Sequence, residues 1–176
     1  MEPTVAAPQP KAPVASAAEE EQVHECPKGT SGKGSMKTPC EAKGKERMMQ
    51  VTWTGKMSDD GPSFRVTNTS KTPILYGRMA AYFYDKAGKQ LEVPASGKKA
   101  TKQWCGGNIF EGQMKAGEKA TITFSCVKKE HVPEGMASIE AEMQTVGFAD
   151  SSGEKSEYYW RNNDLTPDAR PKGGIK

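Results

Sequence analysis

Four cysteines (Cys26, Cys40, Cys105, Cys126) and two histidines (His24, His131) hold most of the capacity for covalent or metal chemistry in these 176 residues. The cysteine number is even and no Cys-x-x-Cys pair occurs. That pattern favours disulfides over structural zinc, whose ligands come in close pairs. Of the three connectivities that four cysteines allow, the expected one joins Cys26 to Cys40 and Cys105 to Cys126. The first bond is local and closes a ring whose chain-entropy contribution is about 3 kcal/mol. In the second, Cys126 ends an expected strand and Cys105 follows Trp104 at the end of another, so the bond pins the loop 106–118 to a sheet. The alternative use of these atoms is a soft-metal site, with His24, Cys26 and Cys40 joined by Met36, Met48 and Met49 around Cu(I). It requires free thiolates. A nucleophilic pair of Cys126 and His131 fails on the same requirement.

Other short motifs dissolve under the same scrutiny. The run GTSGKGS (29–35) has Gly34 where a phosphate loop needs Ser or Thr, and no strand precedes it. Ser96-x-x-Lys99 and Ser152-x-x-Lys155 lack the companion motifs of penicillin-type enzymes. Asp59-Asp60 is too sparse for a calcium loop. Asn68-Thr69-Ser70 is a formal glycosylation sequon that reads first as hairpin chemistry. With no nucleophile, base and orienting group left together, the expectation is a chain that is not an enzyme and needs no cofactor. A different mixture stands out at 96–114. Lys98, Lys99, Lys102, Trp104, Asn108 and Phe110 combine cations, an amide and aromatic rings, as interaction surfaces do. A solvated loop around a buried Trp104 fits the same residues.

The elements that must position these groups are strands. MMQVTWT (48–54) is strand-like, and Ser58 to Pro62 make a turn. SFRVTNTS (63–70) alternates, with Phe64 and Val66 on one face. Pro73 leads into ILYGRMAAYFYD (74–85), then a turn over 86–89 and a strand QLEVP (90–94). KATITFSC (119–126) alternates cleanly. MASIEAEMQTVGFA (136–149) could be helical by composition and fits neither period well; it is assigned as a pairing strand because Thr145-Val146-Gly147-Phe148 is β-like. SEYYW (156–160) adds one more. Strands at short spacing with turns between them predict an antiparallel sandwich over 47–161.

The ends read differently. Residues 1–25 are Pro, Ala and Glu, with one Lys and five Glu, and are expected to form a disordered linker. Residues 26–46 are a disulfide-closed Gly/Lys loop, and 162–176 a frayed C-terminal tail. The net charge of +3 is spread along the chain, so nucleic acid is not an expected partner. No apolar run approaches the roughly 18 residues of a membrane span. Met1-Glu2-Pro3 does not open an export leader, so a leader and a lipid anchor are expected upstream of residue 2.

Val66 to Ser70, Pro73-Ile74, Tyr82-Phe83-Tyr84-Asp85-Lys86-Ala87-Gly88-Lys89, and Lys115-Ala116-Gly117-Glu118 ahead of Phe124 together resemble the FxLYD-like group of bacterial extracytoplasmic domains. The match spans Arg65 to Phe124. Ala81 and Phe83 stand where the naming Phe and Leu would be, and 96–114 looks like an insertion. The resemblance implies an immunoglobulin-like β-sandwich on a secreted protein or lipoprotein, without catalytic residues. The expected function is therefore an exported binding or structural module of the cell envelope, recognising a protein or envelope component. The alternatives are the soft-metal protein above and an inhibitor of another exported protein.

Overall fold

The computed structural model describes residues 24–94, 101–109 and 112–175. Its regular elements are strands with two short 3-10 turns, Lys129–His131 and Asn163–Leu165. In chain order the strands are β1 (Cys40–Glu41), β2 (Met49–Ser58), β3 (Gly61–Asn68), β4 (Ile74–Tyr84), β5 (Gln90–Leu91), β6 (Val93–Pro94), β7 (Thr101–Lys102), β8 (Cys105–Ile109), β9 (Lys119–Thr123), β10 (Ser138–Ala149) and β11 (Ser156–Arg161). The larger sheet runs β1-β11-β10-β4-β5, with β8 also paired to β4. The smaller sheet runs β2-β3-β9, and β6-β7 form a separate ribbon. All pairs are antiparallel except β1 with β11. The expected all-β, sandwich-like fold is the observed one.

Alternation explains which faces meet. Phe64 and Val66 of β3, and Met79, Ala81 and Phe83 of β4, are buried in one core cluster with Trp160 of β11. Each large side chain there contributes about 1.5–3 kcal/mol on burial. The 136–149 stretch is one long strand whose phase changes midway. Ile139, Ala141 and Met143 enter the core, the register then shifts between Met143 and Thr145, and Val146 and Phe148 enter it instead. The extra residue restores inward packing while breaking the period of 2. QLEVP, expected as one strand, is split between β5 on the larger sheet and β6 in the ribbon.

Two turns work as their side chains dictate. Asn68 is fully buried. Its Nδ2 donates to the carbonyls of Thr72 and Met114, and its Oδ1 accepts from the backbone N–H and hydroxyl of Ser70. Asp85 Oδ1 accepts from the N–H groups of Ala87 and Lys89, and Gly88 takes the positive φ of 80° that closes the turn.

The ends correct the sequence reading. The loop 26–46 is tied down by more than its disulfide. Cys40 and Ala42 are buried, β1 joins the larger sheet beside Trp160 and Arg161, and Arg161 holds Glu41. His24 stacks on Tyr158 at 4.1 Å. The stretch 162–175 is not frayed. Leu165 and Thr166 are buried and Arg170 is only 5% exposed. Asn162 anchors its start, with Nδ2 donating to the carbonyls of Gly44 and Glu46. From there the chain crosses the outer face of the larger sheet, where Tyr82 and Tyr84 form a second cluster with Ala80 and Trp104. The rest of the 1–25 linker lies outside the described residues.

Candidate interaction site

A groove of about 710 Å³ opens between β8 of the larger sheet and β9 of the smaller one. Directly opposed strand residues point to the same face. Ala120 lies opposite Val66 and Ile122 opposite Phe64, so both face the core. Gly107 lies opposite the buried Met79 and does the same. Gly107 is packed against Phe124, but Ala120 is too small to fill the space between the sheets. Ala120 remains exposed although its neighbour Val66 is fully buried. A Cβ on Gly107 would stand 3.2 Å from the Phe124 ring. The floor is therefore apolar, made by Val66, Met114 and Phe124 with Ile109 and Ile122 at the walls, and Asn108, Gln113 and Ser125 supply polar groups around it.

Both walls also carry unpaired backbone. Among the described residues β8 pairs only with β4, and β9 only with β3. The N–H groups of Phe124 and Asn68 bond to Pro62 and Glu118 respectively. The alternation of an antiparallel ladder then turns Ala120 and Ile122 toward β3 and leaves the backbone groups of Lys119, Thr121 and Thr123 on the free edge. Each end of the groove is fixed. Cys105 and Cys126 are joined, as expected, and cross-link the two sheets at one end. At the other, Ile74 and Met114 exchange both backbone bonds, and the Lys115 N–H bonds to Glu118 Oε2.

The residues singled out in the sequence fall in separate places. Trp104 is half-buried on the outer face of the larger sheet, its ring 6.4 Å from that of Tyr82. It is not a free anchor, because β8 turns Cys105 inward and so sends its neighbour outward. Lys102 is exposed on β7. Asn108 accepts a hydrogen bond from the Tyr76 hydroxyl at 2.8 Å. Lys98, Lys99 and Phe110 lie outside the described residues. The second expected disulfide, Cys26–Cys40, is also present, so the thiolates that a soft-metal site needs are consumed. Met49 is buried and Met36 is exposed. Among the described residues no group of three or more His, Cys, Asp or Glu side chains stands together.

Sequence reasoning missed a charged cluster under the C-terminal strap. The Arg170 guanidinium reaches Glu140 at 2.6 Å, Glu142 at 3.1 Å and the Tyr84 hydroxyl at 2.9 Å. It lies over the Tyr82 ring at 5.2 Å. Arg47 holds Glu142 by two parallel bonds of 2.9 and 2.8 Å. Burial opposes the charge on Arg170, but its bonds to Glu140 and Tyr84 outweigh that and raise its pKa. Burial raises the pKa values of Tyr82 and Tyr84. The alternating Glu140 and Glu142 in a β-run, with Arg170 between prolines, were the available signals. Two disulfides fit an oxidising, extracytoplasmic environment. No helix among the described residues is long and apolar enough to cross a membrane.

No family model matches the chain, and no curated protein matches it. A solved structure of a hypothetical protein from Peptoclostridium difficile 630 is similar at 12% identity and a TM-score of 0.41, covering 68% of this chain and 88% of that one. A likeness at that level carries no argument about fold or function.

Proposed function

We propose that this chain is an exported, non-catalytic recognition module that binds a protein or envelope partner in the groove between β8 and β9. The observation that carries the reading is Ala120, a small, exposed residue that faces inward on β9, opposite the edge strand β8. It leaves the half-buried Ile109 and Ile122 reachable from outside, beside backbone groups that an extended segment can pair with. Monomeric proteins ordinarily cover such surface or protect such edges. The groove borders the 96–114 insertion, where the sequence places its interaction residues. The export of the chain, an anchor ahead of residue 2, and kinship with the FxLYD-like group belong to the same proposal. The kinship is supported by the roles of Asn68, Asp85 and Gly88 in their turns.

The test is a pull-down from extracytoplasmic fractions of the source cells with the wild type and with Ala120→Arg. The substituted side chain fills the groove from an already exposed position, so stability should change by no more than about 0.5 kcal/mol. The expected result is a partner recovered by the wild type and lost with the variant. Equal recovery of every partner by both proteins contradicts the proposal.

A further inference from the structure

We propose that the outer face of the larger sheet is a second recognition site, for Pro-x-x-Arg-Pro segments of a partner protein, and that residues 166–171 fill it in cis. This site lies on the opposite face of the sheet from the β8–β9 groove and does not rest on that reading.

The two sides of this contact differ in kind. The receptor side is regular: β4 and β10 supply two tyrosines and two glutamates, and β5 supplies Gln90. The occupant, Thr166-Pro167-Asp168-Ala169-Arg170-Pro171, has no regular structure. Its carbonyls are read by side chains. Tyr82 donates to the Pro167 carbonyl at 2.6 Å, and Tyr84 to the Arg170 carbonyl at 2.9 Å. Gln90 donates from Nε2 to the Asp168 carbonyl and accepts from the Arg170 N–H with Oε1, both at 2.8 Å. One side chain is then read by charge: Arg170 enters between Tyr82, Tyr84, Glu140 and Glu142. Hydroxyl donors on an aromatic floor, together with an acidic pocket for one arginine, suit the binding of a proline-containing peptide that carries an arginine. Prolines lower the entropy lost on binding. Trp104 extends the floor beside Tyr82.

The chain's own segment competes from an effective concentration of about millimolar, as short tethers do. A partner segment of the same chemistry therefore enters only when the strap is loosened or outcompeted. Loosening it frees the Tyr82 and Tyr84 hydroxyls and releases Glu140 and Glu142 from Arg170, while Arg47 stays on Glu142.

The test uses the full chain, as wild type and as Arg170→Ala, and a labelled peptide of sequence Thr166–Lys172. Fluorescence anisotropy should show binding to Arg170→Ala at least tenfold tighter than to the wild type. The peptide carrying Arg170→Ala should bind the variant chain at least tenfold more weakly. A folded variant that binds neither peptide overturns the proposal. So does a variant that loses cooperative unfolding, since the strap would then be part of the fold rather than an occupant. Hydrogen exchange on the wild type gives an independent reading. The Arg170 and Gly173 amides should exchange at least a hundredfold faster than those of β4 and β10, and equal rates overturn displacement. A wild-type dimer formed by strap exchange would assign the site to a second copy and overturn the partner protein.

Discussion

Glu142→Gln is the sharpest perturbation of the buried charge cluster. The substitution keeps the shape of the side chain and removes its charge. Glu142 is 6% exposed and is held by two guanidiniums, Arg47 through two bonds and Arg170 through one. Breaking a buried pair by removing one partner costs about 3–5 kcal/mol, because the surviving charge stays buried without compensation. Two features pull the value to the lower end. Arg170 keeps Glu140, and the Arg47 side chain is 30% exposed, so water replaces part of what it loses. The expected cost is about 3 kcal/mol, or a Tm lower by roughly 6–12 °C for a chain of this size. Arg47→Ala leaves the buried Glu142 carboxylate with Arg170 alone and should cost about 1.5–3 kcal/mol. The assay is urea and thermal unfolding followed by tryptophan fluorescence and far-UV circular dichroism. A loss below about 1 kcal/mol for Glu142→Gln would refute the reasoning, because the cluster would then not be latching the strap to the sheet.

Three further outcomes follow from the same coordinates. Replacing Cys105 and Cys126 by Ser should cost about 3 kcal/mol in a denaturant melt, since the bond closes a loop with a sequence separation of 21; an unchanged midpoint would show that the link between the sheets is not stabilising. Asn68→Ala should cost about 2–3 kcal/mol, because it removes four hydrogen bonds made by a fully buried side chain; Ser70→Ala, which keeps most of the turn, should cost about 1 kcal/mol or less. Burial raises the pKa values of Tyr82, Tyr84 and Tyr158 above the ordinary value. Their contribution is therefore fully present below about pH 10 and is lost as pH rises beyond it, because unfolded tyrosines ionise first; denaturant melts between pH 9 and 12 with absorbance at 295 nm should show falling midpoints and late-titrating tyrosines, against a flat midpoint if all ionise near pH 10.

What the sequence revealed depended on how local each feature is. The strands β3 and β9 follow from alternation, and β4 from a long run of β-forming residues that ends up buried on both faces. The Asn68 and Asp85 turns were legible because their hydrogen bonds to backbone N–H groups close within two to four residues. Both disulfides join cysteines only 14 and 21 positions apart. β10 resisted assignment because the register shift after Met143 splits its pattern between two phases. The C-terminal strap was misread as frayed for a different reason. Its partners lie far off in sequence, with Tyr82 and Pro167 separated by 85 positions, and a polar segment gives no periodic sign that Tyr82 and Tyr84 need covering. The groove was also illegible. Ala120 carries no chemistry of its own, and only the facing of two edge strands turns its small size into an opening.

Site-specific photo-crosslinking tests the β8–β9 groove most directly. A benzophenone side chain is placed at position 120, inside the groove, or at position 54, exposed on β2 of the same sheet. Irradiation in the extracytoplasmic fraction, followed by denaturing electrophoresis, should give a discrete partner adduct from position 120 and none from position 54. Adducts of the same mass and yield from both positions, or from position 54 alone, would contradict the assignment of recognition to this groove.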